Sequence, residues 1–214
     1  MSKPISVLLV DDHAVVREGY RRLLERCSEI IVVGEAASAT EAYRAFCRLQ
    51  PDVVVMDVSL PDVSGIEVIR RLLVREARAR ILVFSIHDEA IFPKRAFQAG
   101  ARGYVTKACA PDVLVDAVRS VARGEVFLSA DVAQTLAVRT LLRREDTLQS
   151  LSDREFEILR LVAEGHSLTD IARRLSLAYK TIANYQSIIK QKLGVDTSVQ
   201  LIRFAAENGL LADQ

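Results

Sequence analysis

The chain is 214 residues long, half of them apolar, and its 29 Lys and Arg nearly balance its 28 Asp and Glu. That length is comfortable for two domains with a core each, and the composition is that of an ordinary soluble globular protein. It excludes a disordered or globally basic chain, and no apolar run reaches the roughly 18 residues of a membrane span.

The opening "MSKPIS" leads straight into a strand with no signal-peptide core, so a cytoplasmic protein without a membrane partner is expected. Cys27, Cys47 and Cys109 have neither CxxC nor Cys/His spacing and read as reduced packing thiols. His13, His87 and His166 are scattered, which argues against a zinc or iron site.

Residues 1–123 alternate between two kinds of pattern. "ISVLLV" (5–10), "IIVVGEA" (30–36), "DVVVMD" (52–57), "RILVFS" (80–85) and "GYVT" (103–106) are apolar runs of strand character. Between them apolar residues recur at helical spacing, as in Val113, Leu114, Ala117, Val118 and Val121. Continuous apolar strands alternating with helices predict a doubly wound α/β fold, a five-stranded parallel sheet covered on both faces.

In such sheets the functional groups gather at the carboxyl ends of the strands. Strand one ends at Asp11 and Asp12, strand three at Asp57, strand four at Ser85, and strand five runs into Lys107. A single Asp after a strand commonly does no more than cap a helix or close a turn. Five polar groups at successive strand ends instead describe one crevice.

The adjacent carboxylates of Asp11 and Asp12 repel one another and resist desolvation unless a divalent cation sits between them. Asp57 is then a candidate nucleophile that takes a phosphoryl group as an acyl phosphate. Mg²⁺ would be held by Asp12 and Asp57 directly and by Asp11 through water, with Lys107 and Ser85 meeting phosphoryl oxygens.

Residues 124–148 read as a linker, partly helical over 129–145 and closing in the charged cluster "RREDT" (143–147). Beyond it strand signals cease. "SDRE" (152–155) and "TSVQ" (197–200) are capping boxes and "SLTD" (167–170) is a close variant, while Gly165, Gly194 and Gly209 stand where helices should stop. Residues 149–214 therefore predict four helices, at 153–164, 168–175, 179–193 and 198–208. The second and third are joined by a short turn, the helix-turn-helix arrangement.

Residues 160–192 carry Arg160, Arg173, Arg174, Lys180, Lys190 and Lys192 against Glu164 and Asp170, so any DNA surface is local. In the third of these helices Ile182, Gln186, Ile189 and Leu193 form the stripe that should face the core. Lys180, Ala183, Asn184, Ser187 and Gln191 then look outward. Asn184 and Ser187 suit base edges, while Lys180, Thr181, Tyr185, Lys190 and Lys192 suit phosphates.

"LLVDDH", "VVVMDVSLPDVSG", "LVFSIHDE" and "GARGYVTKA" resemble the receiver domain of two-component response regulators. Residues 151–195 resemble the LuxR-type output domain of the NarL/FixJ group, of the UhpA-like kind. The resemblance implies a phosphorylation-controlled, DNA-binding transcription regulator rather than an enzyme. Asp57 would accept phosphate from a sensor histidine kinase, Asp11, Asp12, Asp57 and the Ser59 backbone carbonyl would hold Mg²⁺, and Ser85 and Tyr104 would form the switch.

It also implies homodimers on double-stranded DNA, with "VQLIRFAAENG" exposing Val199, Ile202, Ala205 and Ala206 either for dimerisation or to complete the core. The sequence departs from the family pattern at Ile86, where a smaller residue is common, at Ala178, where a Ser often caps the recognition helix, and at Ala183, where a long polar side chain is frequent. Other readings stay open: a receiver controlled without phosphorylation, or a helical output that binds protein. An Asp-nucleophile phosphatase is disfavoured, because Ser59 stands where such enzymes place a second acid.

Overall fold

The computed structural model describes residues 3–61, 63–141, 147–208 and 210, which separate into two units, Met1–Leu141 and Leu142–Gln214. The first unit runs β1 (Ile5–Val10), α1 (Ala14–Glu25), β2 (Ile30–Ala36), α2 (Ala39–Leu49), β3 (Val53–Met56), α3 (Gly65–Arg75), β4 (Ile81–Ser85), α4 (Ile91–Gln98), β5 (Gly103–Thr106), α5 (Pro111–Ala122), β6 (Phe127–Leu128) and α6 (Ala130–Leu141). The strand order is β2-β1-β3-β4-β5-β6, and every pairing is parallel.

Strands β3, β4 and β5 are buried along their whole length, as their uninterrupted apolar runs require when helices cover both faces. One core layer joins Leu24, Leu82, Phe84, Leu114, Val118 and Val121 between the sheet and the face carrying α1 and α5.

The sheet has six strands and not five. Phe127 pairs with Gly103 and Leu128 with Tyr104, inside the stretch read as linker. A two-residue strand carries no periodicity, so only its partner reveals it. The helix expected over 129–145 runs as α6 to Leu141, and residues 142–146, with most of the charged cluster, lie outside the described residues.

The second unit holds α7 (Asp153–Ala163), α8 (Leu168–Arg174), α9 (Tyr179–Leu193) and α10 (Ser198–Glu207), preceded by a single 3-10 turn at Thr147–Ser150. Ser152 and Thr197 close complete capping boxes with Glu155 and Gln200, whereas Ser167 accepts from the Asp170 backbone without the reciprocal bond. Gly194 ends α9 in the left-handed region, at φ 68°, which glycine enters without a steric cost. Gly209 lies outside the described residues.

Candidate functional site

The strand ends deliver their polar groups to one place. The backbone N–H of Asp57 donates to the Val10 carbonyl at 2.9 Å, which sets the end of β3 beside the end of β1. The loop after Asp57 folds back so closely that a Cβ on Gly65 would sit 2.3 Å from the Asp57 carbonyl oxygen. Only glycine lets α3 start there, so Gly65 shapes the loop that presents Asp57 and Ser59.

Asp57 is 4 % exposed and Asp11 6 %. Lys107 Nζ donates to Asp11 Oδ2 and Asp57 Oδ2, both at 2.6 Å, while Asp57 Oδ1 accepts the Ser59 backbone N–H at 3.1 Å. Burial pushes the Asp57 carboxyl above the ordinary carboxylate range, and the adjacent Lys107 only partly offsets it. Burial would lower the Lys107 ammonium, but Asp57 and Asp11 outweigh it and hold the pKa above lysine's usual value. A carboxylate held at a cost, beside a firmly charged ammonium, is the electrostatic signature of a functional crevice.

The residues present fit a divalent cation. Asp12 Oδ1 is buried and accepts no hydrogen bond among the described residues, although His13 Nδ1 lies 2.8 Å away. Ligand atoms of Asp11, Asp12 and His13 lie within 4.8 Å of one another, so His13, dismissed from the sequence as scattered, stands at the mouth of the acidic pair. Asp11 is more fully engaged than Asp12, with Oδ1 accepting the His13 backbone N–H at 2.7 Å.

Ser85 is fully buried, and its Oγ accepts the His87 backbone N–H at 3.3 Å. The Tyr104 ring lies inward, also fully buried, and its hydroxyl donates to the His87 carbonyl at 2.7 Å. Burial, with the nearby Ser85 opposing, raises the Tyr104 phenol far above its usual pKa. The His87 ring stacks on Phe92 of α4 with centroids 4.1 Å apart, and its Nε2 lies 3.1 Å from Ser59 Oγ. His87 therefore connects the loop after Asp57, Ser85, Tyr104 and α4. In the sequence its only signal is its place two residues after Ser85. Ile86 stands 63 % exposed at the same strand end.

In the second unit Ile182, Ile189 and Leu193 are buried and Gln186 half-buried, as the stripe on α9 requires. Lys180, Thr181, Asn184, Ser187 and Gln191 are exposed, and Ala183, Tyr185 and Lys190 half-buried. Three of the expected contacts are committed elsewhere, among them Lys190, whose Nζ donates to the Asp196 carbonyl at 3.4 Å. Lys192 Nζ donates to Glu155 Oε2 at 2.7 Å and to the Ser150 carbonyl at 3.3 Å, and Ser187 Oγ donates back to the Ala183 carbonyl at 3.1 Å. Ala178 caps α9 with no side-chain bond. On α10, Val199 is 77 % exposed and Ile202 and Ala206 are exposed, but Ala205 is fully buried and belongs to the core.

Residues 7–119 match the family model described as response regulator receiver domain, and residues 149–205 match bacterial regulatory proteins, luxR family. Response regulator UvrY of Escherichia coli K12 is 38 % identical over 209 residues, which cover 96 % of this chain and 95 % of that protein. Response regulator GacA of Pseudomonas aeruginosa is 35 % identical, covering 97 % of this chain and 98 % of its own. Among solved structures, RcsB of Salmonella enterica serovar Typhimurium, bound to promoter P1flhDC in the presence of the phosphomimetic BeF3-, superposes with a TM-score of 0.72 at 27 % identity. It covers 96 % of this chain and 100 % of that one.

Proposed function

This chain belongs to the two-component response regulators of the NarL/FixJ group, UhpA-like, with a receiver and a LuxR-type output domain, and on that premise we propose that Asp57 carries its signal. The protein is a phosphorylation-controlled, DNA-binding transcription regulator. Its working parts are a receiver over 1–123, a linker over 124–148 and an output domain over 149–214, in the cytoplasm.

The observation that carries the reading is the doubly bonded ammonium: one Lys107 Nζ spans Asp11 and Asp57 at 2.6 Å each. A sensor kinase phosphohistidine presents its phosphorus to Asp57. A carboxylate oxygen forms the new P–O bond, the P–N bond breaks, and the electron pair leaves with the imidazole nitrogen. Asp57 enters as the unprotonated carboxylate, which Lys107 and the Ser59 N–H favour against burial.

Lys107 then pairs with a phosphoryl oxygen, and Ser85 turns its hydroxyl from the His87 N–H toward another. Asp11, Asp12, Asp57 and the Ser59 carbonyl would hold Mg²⁺, which when bound neutralises charge on the transferring group. The change at Ser85 and Tyr104 alters the face around α4 and α5, a local charge event biasing a two-state element.

A homodimer then reads double-stranded DNA, the DNA-bound RcsB structure being the relevant likeness. Asn184 meets a base edge. Lys180, Thr181 and Tyr185 lie against phosphates, while Ala183 lines the contact without a hydrogen bond. Ser187, Lys190 and Lys192 join only by exchanging the internal bonds they now make. The test is fluorescence anisotropy on a labelled promoter duplex, with and without acetyl phosphate and Mg²⁺. Wild type should tighten, Asp57→Asn should not, and equal tightening in both would reject the proposal.

A further inference from the structure

Strand β5 does two jobs in one short stretch. Tyr104 and Thr106 lie two residues apart and so on one face of the strand, and the next residue is Lys107. Tyr104 is tied to His87 as described above. Thr106 is buried too, and its hydroxyl needs a partner there; it donates Oγ1 to Asp131 Oδ2 at 2.6 Å. Asp131 lies in the first turn of α6, where a carboxylate is favoured by the helix dipole.

A further bond and a strand pairing anchor the same segment. The Ser129 backbone N–H donates to the Tyr104 carbonyl at 3.2 Å, and Leu128 is the register partner of Tyr104. Val132, on the first turn of α6, is fully buried. The segment that leads the chain toward its second unit is thus fastened to the one strand that carries the switch ring and delivers the site's ammonium.

We infer that the Thr106–Asp131 hydrogen bond is a coupling clasp, with both residues acting as positioning residues that link Lys107 and Tyr104 to the N-terminal turn of α6. The inference rests on the reading of Asp57 as phosphoacceptor. When Lys107 leaves Asp11 and Asp57 for a phosphoryl oxygen, the end of β5 adjusts. Thr106 passes that adjustment to Asp131, since a charge-assisted bond from a buried hydroxyl to a carboxylate resists lengthening. The route runs along β5 into α6 and is distinct from the rearrangement at Ser85 and α4.

The test uses the full chain with acetyl phosphate and Mg²⁺, reading two quantities: acid-labile phosphoryl incorporation at Asp57, and hydrogen exchange of the amides of residues 130–136. In wild type, phosphorylation should change exchange across 130–136 by at least about fivefold, the low end of ordinary coupling between sites. Thr106→Val and Asp131→Ala should still accept phosphate, but lose that change, and the double variant should lose no more than either single one. Thr106→Ser and Asp131→Asn keep a donor and an acceptor and should restore it, which a merely structural role would not require. Incorporation with an unaltered exchange response in Thr106→Val and Asp131→Ala would overturn the clasp. No incorporation in wild type would instead overturn the acceptor reading beneath it.

Discussion

The crevice at the strand ends and the outward face of α9 are built on opposite principles. In the crevice, Asp11, Asp57, Ser85 and Tyr104 are buried, and their polar atoms are locked to Lys107, His87 and backbone groups. On α9, Lys180, Thr181 and Asn184 are exposed, and Lys180 makes no ion pair among the described residues. The first region stores its function as strained electrostatics that one added charge can release. The second keeps donors solvated until a polyanion replaces water.

The largest expected effect comes from removing the crevice's own cation. Lys107→Met leaves Asp11 and Asp57 buried without it, and breaking a buried pair costs on the order of 3 kcal/mol. Urea unfolding in Mg²⁺-free buffer should show that loss, and added Mg²⁺ should recover most of it. A variant as stable as wild type without Mg²⁺ would mean that the crevice stores no such strain.

On the other side of the comparison, Asn184→Ala and Lys180→Ala should leave folding intact and weaken specific duplex binding by about 1–3 kcal/mol each. Titrations at several salt concentrations should separate them. Loss of Asn184 relaxes base preference, whereas loss of Lys180 lowers the salt slope by about one. Lys192→Ala is the contrast, because its ammonium is held by Glu155 and should register in stability before it registers in salt dependence.

Glu155 sharpens the comparison further, since it is a locked group inside the DNA-binding unit. Burial pushes its carboxyl up, but Lys192 and the Ser152 cap outweigh this and hold it below glutamate's usual 4.5. A depressed carboxylate contributes stability that is fully present above pH 4.5 and lost as pH falls through its lower folded value. Glu155→Gln should therefore cost about 1 kcal/mol at neutral pH and much less near pH 3, read from unfolding at both. An equal cost at both would place the effect in packing.

The smallest expected effect tests the exposed face at its start. Ala178 already has the extended backbone of an N-cap, with ψ 143° and no side-chain bond. Ala178→Ser should add about 0.5–1 kcal/mol and slow amide exchange at residues 179–182. Unchanged exchange there would show that the open cap does not loosen α9.

These contrasts explain what the sequence made legible. Asp11, Asp12, Asp57, Ser85 and Lys107 stand at the ends of apolar runs, so the topology of a parallel sheet converts chain position into spatial convergence. Asp12, Asp57 and Lys107 could be found without coordinates for that reason. His87 offered only its place two residues after Ser85, because its importance lies in a stacking partner on α4 and in Ser59, neither of which has a local pattern.

Strand β6 and the bond from Thr106 to Asp131 escaped for a related reason. Both are pairings between a strand and a segment that reads as linker. On α9 the buried stripe was readable from its 3.6-residue period, but Ser187 and Lys192 are turned by neighbours that periodicity does not report.

Whether the buried carboxylate of Asp57 accepts phosphorus can be read by trapping the acyl phosphate. The full chain is incubated with acetyl phosphate and Mg²⁺, reduced with borohydride, and mapped by peptide mass spectrometry. Reduction is expected at position 57 alone and absent in Asp57→Asn. Label elsewhere, or none in the wild-type protein, would contradict it.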